Sequence, residues 1–258
     1  MGGGSVILLH IGLPKTGTTA FQEVCLRETA ALARQGVGFH HSVLTDPREG
    51  ALELSLSAMR PGVECMAATR RPGLVLEGMH GRAQAAISAT LAGRDGDRVI
   101  FSDENLFFLR QPDELARLRA LFPAGVRFEV FLTLRDPADW GRSYAAQILA
   151  VSGRRLSADP TSAFHVAPGS WIYDFEEIAR VWRAAFGSVT VLHYDPRRAV
   201  PDLFDAMGVS LPAEAMAVRA RTTGWRMRMR AWFPVLAHLR PAVSGARKAL
   251  GRVKRALF

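Results

Sequence analysis

The stretch His10-Ile-Gly-Leu-Pro-Lys-Thr-Gly-Thr-Thr19 follows the apolar run Val6 to Leu9 and leads into Phe21, Val24, Cys25 and Leu32, which recur at helical spacing. A strand, a glycine-bearing loop and a helix N-terminus in that order leave backbone N–H groups unpaired at the corner, and the helix dipole adds partial positive charge. A chain with this corner near its start is constrained toward an α/β fold that binds an anion, in the first place a phosphate. The position of the lysine narrows the chemistry. A nucleotide-triphosphatase loop reads G-x-x-x-x-G-K-[ST]. Here Gly12 opens the register, but Thr18 stands where the lysine belongs and Lys15 lies inside the loop. From there its ammonium can reach the outer oxygens of a diphosphate-like chain, while Thr16, Thr18 and Thr19 offer hydroxyls to the inner phosphate.

Pro14-Lys-Thr-Gly-Thr-Thr19 resembles the 5′-phosphosulfate loop of sulfotransferases that use 3′-phosphoadenosine 5′-phosphosulfate (PAPS), whose pattern is close to P-K-[ST]-G-T-T. The resemblance implies that Gly12, Lys15, Thr16, Gly17, Thr18 and Thr19 bind the donor. A second motif agrees with it. Arg127 to Leu134 is strongly apolar, as a strand buried on both faces would be, and Leu134-Arg-Asp-Pro137 then turns into a helix with Asp136 as N-cap and Pro137 first. Arg135 projects from the strand end and Ser143 sits two turns along the helix, which is also the family's 3′-phosphate pattern. Arg135 would fork onto the phosphate and Ser143 would donate a hydroxyl hydrogen bond. The bland alternative pairs Arg135 with a local acid such as Asp139.

Over roughly residues 6 to 212 the element order resembles the family, which implies a three-layer α/β/α, P-loop-like fold around a central parallel sheet. Ser102-Asp-Glu-Asn105 ends another expected strand, where parallel sheets place ligands. It is either a helix cap before Leu106-Phe-Phe-Leu109 or the source of a general base, Glu104, as a glutamate at a strand end serves in several branches of the family. His40, His41 and His80 are the reserve candidates. No aspartate suggests itself from spacing as a magnesium ligand, and no His/Cys cluster has metal-ligand spacing, so transfer without a metal is expected. The family's late Asn-x-Ser segment is absent: Arg219-Ala-Arg-Thr-Thr-Gly224 stands in its place.

The remaining elements follow from caps and periodicity. Val37 to His40 reads as a short strand after Gly36. Residues 47 to 60 and 77 to 92 read as helices, the first capped by Asp46 with Pro47 behind it. Arg98 to Ser102 is a strand, 113 to 121 a helix, 171 to 186 a helix ended by Gly187, and Val189 to His193 a strand. Leu192-His-Tyr-Asp195 reads as scaffold. The variable segments 40 to 80 and 150 to 170 are the places where an acceptor pocket would be built.

At 258 residues, with 48% hydrophobic and 22% charged residues, the chain is of a size and composition for one α/β domain with a large core, or one domain plus a small appendage, rather than a disordered protein. No apolar run reaches the roughly 18 residues of a membrane span, and the first five residues do not form a secretory leader, so a cytoplasmic protein is expected. Cys25 and Cys65 are expected to be reduced thiols. The net charge of +9 is a property of the end of the chain: Arg219 to Phe258 holds eleven Lys or Arg and no acid, which leaves residues 1 to 218 at −2. That distribution argues against a nucleic-acid enzyme, which would place cations around its site. Two domains are therefore expected, 1–218 and a basic helical tail, 219–258. Val243, Ala246, Leu250, Val253 and Leu257 put one apolar face on that tail. It would lie on an anionic membrane, making the protein peripheral to the inner face, or pack on its own domain, or hold an anionic acceptor.

Three functions remain open at this point. One is a sulfotransferase acting from PAPS on a hydroxyl or amine of a glycan, lipid-linked or small-molecule acceptor and releasing adenosine 3′,5′-bisphosphate (PAP). The others are a small-molecule kinase and a non-catalytic nucleotide-binding or membrane-peripheral module.

Overall fold

The computed structural model describes residues 4–42, 44, 47–60, 63, 77–94, 97–152 and 155–217. Five strands, β1 (Val6–His10), β2 (Val37–Phe39), β3 (Arg98–Ser102), β4 (Arg127–Leu134) and β5 (Val189–His193), form one sheet in the order β2-β3-β1-β4-β5, with every neighbouring pair parallel. The helices are α1 (Thr18–Arg27), α2 (Thr29–Ala33), α3 (Glu53–Ala58), α4 (Met79–Leu91), α5 (Pro112–Arg119), α6 (Pro137–Ser152), α7 (Phe175–Phe186), α8 (Ala199–Ala206) and α9 (Ala213–Met216). This is the expected α/β class. None of the helices among the described residues is long and apolar enough to cross a membrane.

The period-2 alternation of β1 divides the core. Val6 and Leu8 face Phe21, Val24 and Cys25 of α1 and Leu203 and Phe204 of α8. Ile7 and Leu9 face the opposite layer, with Ile87 of α4, Leu115 and Leu118 of α5, Trp140 of α6 and Trp182 of α7. Helices thus cover both faces, which is why β1 reads as a continuous apolar run rather than an alternating one. Burial also pushes the Cys25 thiol well above its ordinary pKa, so it is a protonated core side chain. Cys65 lies outside the described residues, as does the tail from residue 218 onward.

Register brings the strand ends level. His10 lies opposite Ser102 of β3 and Phe131 of β4. Pairing continues one residue further, with Ile11 N–H donating to Phe131 O at 3.0 Å and Asp103 N–H to His10 O at 3.1 Å. The chain leaves β1 toward β2 and, after β3, crosses to β4 on the other side, so the loops following β1 and β3 part company here. Open parallel sheets bind their ligands at such a point.

The element boundaries match the sequence reading closely in the strands and less well near residue 50. Residues 47 to 60 form a 3₁₀ turn, Pro47–Glu49, and a separate helix α3, rather than one helix. Gly50 breaks them with φ of 63°, at a place where a Cβ would run into the carbonyl of Ser102 and the amide of Gln22. The expected cap, Asp46, lies outside the described residues. Residues 171–186 are likewise interrupted: Asp174 accepts from Glu177 N–H at 3.0 Å and starts α7 afresh after a 3₁₀ turn. Gly187 ends α7 as expected, at φ 93°.

Candidate functional site

The loop between β1 and α1 is built from three positive backbone angles. Gly12 has φ 22°, Gly17 has φ 90°, and Lys15, at φ 71°, is the one non-glycine residue with positive φ among those described. A lysine held there costs about 1–2 kcal/mol. Side chains from elsewhere hold the loop in shape: Thr16 donates to Leu13 O at 2.5 Å, and the buried indole of Trp140 on α6 donates to Pro14 O at 2.9 Å. Gly12 has no room for a side chain, since a Cβ there would stand 2.9 Å from both His10 Nε2 and Thr18 Oγ1.

The consequence is a set of donors without acceptors. No backbone N–H of Gly12, Leu13, Lys15, Thr16, Gly17, Thr18 or Thr19 finds a protein acceptor among the described residues, and α1 has no side-chain cap. Thr18 Oγ1 is buried and also unpaired. Lys15 is partly buried and makes no ion pair among the described residues. Seven amides, a hydroxyl and an ammonium without acceptors give strongly anion-favouring electrostatics, because unpaired donors in a curled loop sum their partial charges as at a helix N-terminus.

Beneath the loop lies a polar chain. Gln22 Nε2 donates to Ser102 O at 3.0 Å and lies 3.3 Å from Ser102 Oγ, which is 2.9 Å from His10 Nδ1. Complete burial lowers the His10 pKa to about 3, so the imidazole is neutral.

Arg135 stands at the carboxyl end of β4, next to β1 in the sheet. Asp136 does cap α6, accepting from Asp139 N–H at 2.9 Å. Asp139 pairs with Arg142, not Arg135. The Arg135 guanidinium instead lies 5.3 Å from the centroid of Tyr194, and Tyr194 and Ala199 in turn flank Gly17. Arg135 has no hydrogen bond or ion pair among the described residues. Tyr194, which the sequence reading assigned to scaffold, therefore links the arginine to the loop. Its only signal in the sequence was its place directly after a strand. Ser143 sits partly exposed on α6, one turn beyond Trp140.

At the end of β3, Asp103 is the cap and Glu104 is not. Asp103 Oδ1 accepts from Asn105 N–H at 2.8 Å and Asn105 Nδ2 at 2.9 Å, and Oδ2 from Ser55 N–H at 3.2 Å. Burial raises its pKa to about 7, against the lowering effect of the bonds from Ser55 and Asn105. The cap that the sequence offered at Ser102-Asp-Glu-Asn105 is thus Asp103. Its three amide donors tie it to α3 and the following turn. Glu104 opens the 3₁₀ turn Glu104–Phe108 and is partly exposed.

Of the reserve histidines, His40 is buried and fully engaged, with Nε2 2.5 Å from Glu53 Oε1, Nδ1 2.8 Å from Thr90 Oγ1, and its ring stacked 4.6 Å from Phe101. That arrangement is structural. His41 is exposed and His80 partly exposed. No group of three or more His, Cys, Asp or Glu side chains suited to a metal ion occurs among the described residues.

Fold and site together define an α/β protein with a cradle of unpaired donors at the carboxyl edge of a parallel sheet. No model of a known protein family matches the chain, and no curated protein matches it.

Proposed function

We propose that the chain is a PAPS-dependent sulfotransferase with a P-loop-like three-layer fold, moving a sulfuryl group to a hydroxyl or amine. The observation that carries this reading is the loop 12–19, in which seven amides and Lys15 lack acceptors among the described residues while Lys15 occupies the middle of the loop instead of the position after Gly17. Arg135 and Ser143, on the neighbouring strand end and its helix, supply the separate cation and hydroxyl that a 3′-phosphate needs.

In the proposed reaction the acceptor oxygen forms a bond to sulfur as the bond from sulfur to the 5′-phosphate oxygen breaks, through a loose, planar SO₃-like transition state. Negative charge grows on the leaving phosphate, where Lys15 and the loop amides stabilise it. The acceptor's proton passes to Glu104, and PAP leaves. The chain's contribution is positioning and charge, which rigid support from Trp140 and Gly12 favours.

The test is incubation of the full chain with labelled PAPS, or with labelled ATP and magnesium, against a panel of glycans and small hydroxyl compounds. Label transferred from PAPS alone supports the proposal, and transfer from ATP alone replaces it with a kinase. Binding of either nucleotide without transfer to any acceptor favours a non-catalytic module. In calorimetry, Arg135→Ala and Ser143→Ala should each weaken PAP binding, Arg135→Ala by about tenfold or more. Unchanged affinity in both removes the 3′-phosphate assignment.

A further inference from the structure

Six residues after Glu104, three segments meet around a second arginine. Glu114 of α5 is fully buried, and its carboxylate accepts from Arg60 N–H at 3.0 Å, Arg60 Nη1 at 2.8 Å, and the backbone N–H groups of Arg110 and Gln111, each at 3.0 Å. Its capacity is spent on Arg60 and on backbone. The Arg110 guanidinium is left over. It lies 4.0 Å above the ring of Trp171, and neither it nor Trp171 Nε1 has a hydrogen-bond acceptor among the described residues. Arg110 Nε and Trp171 Nε1 are shielded from solvent, as is the unpaired Ser170 hydroxyl. The two terminal nitrogens of Arg110 are not among the shielded unpaired atoms, and they have no partner among the described residues.

Two guanidinium groups against one carboxylate leave a net charge of about +1 in a partly desolvated place. Arg110 bears the cost: burial, then repulsion from Arg60, holds its pKa below the ordinary value, and Glu114 only partly offsets this. A cation in that position is normally neutralised, because an unpaired, partly buried charge is destabilising. Stacking on Trp171 fixes the plane of the fork and lowers the entropy lost when an oxyanion docks on it. Arg60 closes the segment before residue 61, Trp171 closes the segment before α7, and Arg110 follows the Glu104 turn. Arg60 thus lies in one, and Trp171 directly follows the other, of the two variable regions in which the sequence places the acceptor.

We infer that Arg110, held on Trp171, is an anion subsite that selects acceptors carrying a carboxylate or another oxyanion, docked on its two terminal nitrogens. This rests on the proposed transfer reaction for the word acceptor, but the subsite itself can be measured without the donor.

The probes are methyl β-D-glucuronide and its neutral counterpart, methyl β-D-glucoside, titrated into the full chain and followed by calorimetry. A Lys15→Ala chain is used for both sugars, so that the loop's own ammonium adds nothing to the preference. The expected result is a preference of about tenfold or more for the glucuronide, abolished by Arg110→Gln and partly kept by Arg110→Lys, which retains charge but loses the fork. No preference in the Lys15→Ala chain, or a preference that survives Arg110→Gln, overturns the subsite. If Arg110→Gln fails to fold, Trp171→Phe serves instead: it should keep the preference but weaken it, and an unchanged preference overturns the proposal. PAP is titrated into the unsubstituted chain in parallel. Failure of PAP to bind while the glucuronide preference stands overturns the transfer reading and leaves the subsite.

Discussion

At the scale of single residues, Lys15 combines strain with function. Lys15→Gly should remove the left-handed strain and raise stability by about 1 kcal/mol in urea denaturation, while turnover falls by about 10²–10³-fold because the cation is gone. A glycine variant with full turnover would exclude Lys15 from the reaction. Glu104→Gln keeps shape but cannot accept a proton, so turnover should fall by about 10²-fold with PAP affinity unchanged. Unaltered turnover would pass the base role elsewhere. His10 and Asp103 give a pH signature. Folded Asp103 holds a proton that the unfolded chain has lost between pH 3.8 and about 7, so on its account stability rises as pH falls through that window. Folded His10 lacks a proton that the unfolded chain has gained between pH 6.5 and about 3, so on its account stability falls as pH falls. The two nearly cancel between about pH 4 and 6.5. Asp103→Asn should therefore lose stability on acidification from pH 6.5, and His10→Gln should gain it down to about pH 4, each by at most about 1.4 kcal/mol per pH unit. Denaturation midpoints across that range check both signs.

At the scale of elements, the cradle depends on how the β3 end is tied to the segment before α3. Ala51 N–H donates to Ser102 O at 2.9 Å, Ser42 N–H to Gly50 O at 2.7 Å, and Asp103 holds the first turn of α3. Gly50 permits this because a Cβ there would run into the Ser102 carbonyl oxygen and its φ is positive. Gly50→Ala should destabilise the chain by about 3 kcal/mol, adding backbone strain to a clash with another backbone. A shift in urea midpoint no larger than that of an exposed Gly→Ala change, such as Gly81→Ala, would show that the segment can move aside. The strands were legible to within a residue: β1, β3 and the end of β4 are buried, continuous apolar runs, while the largely exposed β5 was marked by Gly187 before it. The helix boundaries near Gly50 and Asp174 were not, because caps and periodicity report local preference, and a glycine forced by a neighbouring carbonyl leaves no local pattern.

At the scale of the whole molecule, the charge is divided between a core of −2 and a tail with eleven cations. If the tail lies on anionic bilayers, the full chain should pellet with anionic vesicles at low salt and less at high salt, while a chain ending at Ala220 stays in solution. Equal behaviour of the two chains excludes attachment through the tail. The sequence by itself determined the α/β class, the strand–loop–helix corner with Lys15 inside it, and the second cation at Arg135, since each is written in contiguous residues whose period, glycines and caps act locally. Only the tertiary structure decided that Tyr194 joins Arg135 to Gly17, that His40 is consumed by Glu53 and Thr90, and that Arg110, among the described residues, is left unpaired beside Trp171. Those facts depend on which strand ends lie side by side and which donors exhaust a buried carboxylate, and both are set by packing between segments separated in the chain, from His40 and Glu53 to Gly17 and Tyr194.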